Sequence, residues 1–178
     1  MVTQKMGAKK KSLLLVLVLV VGYLGMSAFT TVRVYQQKKE LKLVWSETYS
    51  SAKNISDITP NFIYIGKHSS IHQNDLLTRL ARLRLSLENE LKTSKDHWST
   101  TAIDISDKLI SEQDNLSLVL QKDAGLLKMK DHLQALQSQW IVRKEVYKKE
   151  RILFKVALNR YQLLKNSKTG FLSRLLDK

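Results

Sequence analysis

From Leu13 to Val32 the chain reads LLLVLVLVVGYLGMSAFTTV, a run with no charged residue and no polar face. At 1.5 Å of rise per residue, about 20 residues make roughly 30 Å of helix, which matches the hydrocarbon thickness of a bilayer. The pattern predicts a single-pass transmembrane helix. Residues 1–12 before it form a short basic tail that resembles the start of a secretory signal. The apolar run is longer than a signal core, and its small-residue site, Met26-Ser27-Ala28, places a bulky Met where a small residue is required. An uncleaved anchor is therefore expected.

Beyond Val32 the apolar positions become periodic. Leu41, Trp45, Thr48, Ala52 and Ile55 alternate at spacings of four and three, the seam of one helix face. With neither Pro nor Gly between Arg33 and Asp57, the spanning helix is expected to run on into a first bundle helix. Ser56-Asp57-Ile58-Thr59-Pro60 is read as its end, with Asp57 or Thr59 as cap and Pro60 opening a second helix from Asn61 to Leu91. The seam of that second helix is Leu76, Leu80, Leu83, Leu87 and Leu91, with Arg79, Arg82 and Arg84 on its far side. The polar run Thr93–Thr101 is expected to be a loop at the membrane-distal tip. A third helix, Ala102–Lys122, buries Leu109, Leu116 and Leu120 and ends in a left-handed turn at Gly125.

The fourth helix, Leu127–Lys165, carries Leu133, Trp140, Tyr147, Phe154 and Tyr161 seven apart, with Leu136, Ala157 and Leu164 at alternate seam positions. A strict seven-residue repeat implies left-handed, coiled-coil-like packing on its neighbours. Aromatics at that spacing read as core rather than as a ligand cage. Arg143 and Glu150 interrupt the seam as a candidate register pair, against the simpler reading that both reach solvent. Residues 167–178 follow as an amphipathic segment, Phe171–Leu176, either capping the bundle or lying on a membrane surface. The predicted fold is all-α: a transmembrane helix continuing into an antiparallel bundle of three to four long helices over residues 33–166.

Composition narrows the chemistry. The chain of 178 residues has no cysteine, which excludes disulfides, thiolate metal sites and cysteine nucleophiles. Its net charge is +14, and Lys5, Lys9, Lys10 and Lys11 precede the apolar run with no acid among them. A basic domain held at a bilayer points to anionic lipid, with Arg33, Lys38, Lys39 and Lys42 closest to it and Arg79, Arg82 and Arg84 as a second surface. No nucleic-acid-binding motif accompanies the charge, so nucleic acid is not the expected partner. His68 and His72 are four apart, but no acid stands at a helpful spacing beside them, so no metal site is assigned. Phosphate loop, nucleophile elbow, kinase and HExxH patterns are all missing, and neither catalytic residues nor a cofactor is predicted.

The order of elements resembles the bacterial LemA family. The family's R-R-x-D-L-I-P-N-L-V run, which follows a Trp, falls on Asn54–Ile63 after Trp45 and keeps Asp57, Pro60 and Asn61, with the arginine pair replaced. A family His and a later Arg fall on His72 and Arg84. Further on, Leu127, Leu136, Gln137, Ala157 and Tyr161 match, whereas the family's E-N-R-I run and final F-P turn do not. The resemblance implies a divergent member: a membrane-anchored antiparallel helical bundle without established enzymatic activity, similar to scaffolds or accessory factors of the cell envelope. One relative takes part in building magnetosome membranes.

The expectation is then a non-catalytic scaffold or partner-binding protein of the bacterial inner membrane, its partner an unknown protein. Its N-terminus is expected in the cytoplasm and its bundle outside, because the lysine triplet abuts the span directly. A membrane-tethered sensor or adaptor and an anionic-membrane remodelling factor are alternatives, and a metal-dependent enzyme is a more distant one. Homo-oligomerisation is left open.

Overall fold

The computed structural model describes the backbone of residues 8–71 and 73–176, and the side chains of 13–71 and 73–167. The described residues are almost entirely helical: α1 (Ala8–Lys67), α2 (Asn74–Thr93), α3 (Thr100–Gln121), a 3₁₀ helix (Ala124–Met129) and α4 (Lys130–Leu176). Two compact units result, one of Met1–Glu40 with Leu158–Lys178, the other of Leu41–Ala157.

The Leu41–Ala157 unit is a four-helix antiparallel bundle whose contacts fix the direction of each helix. Near the start of its α1 segment, Trp45 packs on Phe154 of α4 with ring centroids 5.2 Å apart, and its indole donates to Ser94 O at 3.1 Å. Further along, Phe62 meets Trp140 edge-on at 6.0 Å, and Thr59 is bonded to Gln113 of α3. The seam positions Leu41, Trp45, Thr48, Ala52 and Ile55 are all buried, as are Leu76, Leu80, Leu87 and Leu91 of α2, while Leu83 of the expected α2 seam is only half-buried. Leu109, Leu116 and Leu120 close the core from α3. Most of the expected α4 seam is core too: Leu133, Leu136, Trp140, Tyr147, Phe154 and Ala157 are buried, whereas Tyr161 and Leu164 are only half-buried.

Three expectations are corrected. α1 does not stop at Ser56–Pro60 but continues to Lys67, with Pro60 inside it. Proline removes the bond to the carbonyl four residues back, normally at a cost of about 3 kcal/mol. That carbonyl belongs to Ser56, and Arg84 Nε of α2 donates to it at 3.3 Å. The break falls between Lys67 and Asn74, so α2 starts 13 residues later than a helix begun at Asn61 and has only 20 residues.

The loop expected at a distal tip is the second correction. Ser94, at the start of this loop, accepts from Trp45, so the loop begins at the end of the bundle where the α1 seam starts, because α2 runs back along α1. Ser99 caps α3 by accepting from Ala102 N at 3.0 Å. At the opposite end sit the α1–α2 link and the α3–α4 link. Third, Gly125 is not left-handed, and among the described residues no glycine has positive φ. Its small size serves close approach instead, since a Cβ there would lie 2.9 Å from Ser70 Oγ. Helix α4 also passes through Gly170 without a break to Leu176.

The unit containing Met1–Glu40 holds the apolar run, and every large hydrophobic side chain from Leu13 to Val21 is more than half exposed. Thr30 and Thr31 turn their hydroxyls back to the carbonyls of Met26 and Ser27, at 2.7 and 2.8 Å, so neither leaves a free donor in the run. This helix is long and apolar enough to cross a membrane by length and composition.

Candidate functional site

The bundle concentrates its polar chemistry in four places. The link end is tied by Asp123, which follows α3 and caps the 3₁₀ helix. Its carboxylate accepts from the hydroxyls of Ser69 and Ser70, from Ser70 N at 2.8 Å and from Gly125 N at 2.8 Å. The two serine hydroxyls are the leading cause that holds this carboxyl far below the usual carboxylate range, the backbone donors adding to them. Such an arrangement staples two chain connections; all its acceptor sites are filled, and it offers no free base.

Tyr147 anchors the α3–α4 contact. Its buried hydroxyl lies 3.2 Å from Ile103 O and 3.3 Å from Asp107 Oδ1, and Asp107 pairs with Arg151 at 3.1 Å. Burial, followed by the charge of Asp107, pushes the phenol above its ordinary range. One layer along, Trp140 Nε1 donates to Asp114 at 2.8 Å and Lys144 binds the same carboxylate at 2.9 Å. These contacts fix helix faces against one another.

Arg143 and Glu150 do not bond to each other. Arg143 reaches α1 and donates to Asn54 O at 2.8 Å, while the backbone carbonyl of Glu150 accepts from the Thr48 hydroxyl at 3.2 Å. Glu150 Oε2 is shielded from solvent without a hydrogen-bond partner. Each residue thus touches α1 separately.

The basic positions also separate. Arg84 faces α1, pairing with Glu88 at 2.6 Å as well as with Ser56 O, and the Ser56 hydroxyl lies 3.4 Å from the same Glu88 carboxylate. Arg79 and Arg82 instead line a groove of about 400 Å³ between α2 and α3, together with Leu83, Lys108, Ser111 and Glu112. Arg79 is held by Glu112 through two contacts of 3.2 and 3.3 Å. Lys108 and Ser111 were not singled out from sequence, since nothing local says which residues of α3 will face Arg82. Their shared i, i+3, i+4 spacing on facing helices (79, 82, 83 and 108, 111, 112) is the signal that finds them once the hairpin is known.

Lys38, Lys39 and Lys42 are exposed on α1, and the Arg33 guanidinium stacks 4.6 Å over the Phe29 ring. His72 lies outside the described residues. His68 is exposed, its ring Nδ1 2.8 Å from Tyr64 O. Among the described residues no group of three or more His, Asp or Glu is placed to hold a metal ion.

These features define a helical bundle with structural polar ties and a basic groove between α2 and α3. Comparison with protein-family models, curated proteins and solved structures finds no match.

Proposed function

We propose that this chain is a membrane-anchored, non-catalytic helical scaffold or partner-binding protein of the bacterial envelope. The observation that carries this reading is α1. Its Leu13–Val32 stretch leaves its apolar side chains uncovered, and the same helix goes on to supply Leu41, Trp45, Ala52, Ile55, Ile58, Phe62 and Ile65 to the bundle core. Each Leu or Val side chain kept from hydrocarbon forgoes about 1.5–3 kcal/mol, so a bilayer is the favoured surrounding for the first part of the helix. The resemblance to the LemA family, carried by Trp45, Asp57, Pro60 and Asn61, is in keeping with this reading, although here Pro60 lies within α1.

In this reading the span sits in the inner membrane with the N-terminus in the cytoplasm and the bundle outside. The test is membrane fractionation combined with in-cell photocrosslinking. The full chain is expected to stay in the membrane pellet through alkaline carbonate and to enter solution only with detergent. Release by carbonate would remove the anchor from the proposal. Crosslinkers at exposed bundle positions are expected to give a discrete protein adduct, and adducts to lipid alone would overturn the partner-binding role.

A further inference from the structure

We propose that the groove between α2 and α3 binds an acidic, amphipathic segment of a partner protein, with Arg82 and Lys108 as its principal contacts. The inference rests on the reading of the bundle as a partner-binding module. Three cations, Arg79, Arg82 and Lys108, converge on the groove against one carboxylate, Glu112. Glu112 is already committed to Arg79. Arg82 and Lys108 are exposed and make no hydrogen bond or ion pair with any described residue. Two like charges on facing helices repel, and an anion between them turns that repulsion into attraction.

The lining adds a second requirement. Leu83, half-buried, lines the groove beside Arg79, Arg82 and Lys108, whose long side chains carry apolar methylene stems below their charged heads. A ligand that fills the groove therefore needs an apolar group beside its carboxylates. The volume of about 400 Å³ accepts one or two side chains. A peptide helix with Glu and Leu on one face offers that combination, in the manner of helix-in-groove recognition. The groove sets a leucine and a carboxylate among its cations, a mixed surface that a peptide face carrying both acidic and apolar side chains complements more fully than a plane of headgroups does.

The pair Arg79–Glu112 gives the groove an internal competitor. Glu112 occupies the guanidinium that an incoming carboxylate would use, and its removal frees a third cation. Charge pairs of this kind contribute strongly to encounter and to specificity, and their strength falls with salt.

The experiment uses the full chain in nanodiscs of neutral lipid and a fluorescent peptide with Glu and Leu on one helical face, read by anisotropy, with a Gln-for-Glu version of the peptide as control. Binding is expected to weaken about tenfold or more in the double variant Arg82→Gln, Lys108→Gln, and to weaken in high salt. Glu112→Gln is expected to tighten it several-fold, an effect that a merely damaged bundle would not produce. Lys38→Gln with Lys39→Gln, outside the groove, should leave it unchanged. Equal binding of the Gln peptide, or no response to the double variant in a chain with unchanged helicity, would overturn the assignment. So would phosphatidylglycerol vesicles that depend on Arg82 and Lys108 when the peptide does not. A photocrosslinked partner mapped to another face, with no peptide binding here, would remove the groove alone and leave the proposed function standing.

Discussion

Asp123 and Tyr147 show how two side chains can make the bundle sensitive to pH at opposite ends of the scale. The Asp123 carboxyl is held low by the hydroxyls of Ser69 and Ser70, so its folded value lies below the ordinary carboxylate value of about 3.9. Its contribution is complete above that value and is lost as pH falls toward the folded one. Thermal melts should therefore show wild type more stable than Asp123→Asn at about pH 7, with the gap starting to narrow only below about pH 4. A gap that persists unchanged in acid would mean that the carboxylate charge is not what holds the two links. Tyr147 works in the other direction, because burial raises its folded value above the unfolded value of about 10. The folded chain keeps a proton that the unfolded chain releases, and stability falls as pH rises past about 10. Alkaline melts of Tyr147→Phe should lose less stability over that range than wild type. At neutral pH the same variant should be about 0.5–1.5 kcal/mol less stable, for the lost hydrogen bond to Ile103 O.

At the scale of elements, Pro60 separates what was legible from what was not. Seams were readable: spacings of three and four placed Leu41, Trp45, Leu80, Leu87, Leu109, Leu116, Trp140, Tyr147 and Phe154 inside, and each is buried. A seam records only that a helix face meets something apolar, so it survives errors in boundaries. Pro60 was misread because local chemistry favours proline at a helix start. What permits it inside α1 is Arg84, 24 positions on in the chain, whose guanidinium takes over the orphaned Ser56 carbonyl while Glu88 balances its charge. No local pattern encodes that compensation, and the same blindness hid Lys108 and Ser111 as neighbours of Arg82. Thr59 and Gln113 make the point again. The Thr59 hydroxyl has one proton and faces both Ile55 O at 3.0 Å and Gln113 Oε1 at 2.8 Å, while Gln113 Nε2 is buried without a partner. Turning the amide over lets Nε2 donate to the hydroxyl and the hydroxyl donate to Ile55 O. The Arg84 compensation predicts a coupling. Pro60→Ala restores the backbone donor and should stabilise the chain by about 1–3 kcal/mol. Arg84→Leu should then cost about 1 kcal/mol less in the Pro60→Ala background than in wild type. Additive effects in denaturant titrations would show that Arg84 does not compensate for the proline.

For the molecule as a whole, the sequence makes the apolar helix proposed as the span visible because about 20 uncharged residues need no partner to be recognised. Orientation is the harder property, since it depends on a difference between two charge clusters. Lys5 and the triplet Lys9, Lys10 and Lys11 lie before the span, and Arg33, Lys38, Lys39 and Lys42 lie after it. Position breaks the tie. The triplet is separated from the apolar run by Ser12 alone, whereas Lys38, Lys39 and Lys42 lie six, seven and ten residues beyond Val32. Arg33 is the exception, and its guanidinium is folded back over Phe29, a ring partner that suits the headgroup layer. The proposed cytoplasmic N-terminus rests on this clustering of positive charge before the apolar helix. A periplasm-active reporter fused after Lys178 should accordingly be active in wild type. Changing Lys9, Lys10 and Lys11 to Gln leaves Lys5 as the sole basic side chain before the span, against four after it. A substantial fraction of that variant should invert, with reporter activity falling and cysteines introduced near Lys178 becoming protected from impermeant reagents. Should the wild-type reporter be silent and its cytoplasmic counterpart active, the bundle lies inside, and the partner with the acidic segment is to be sought among cytoplasmic proteins.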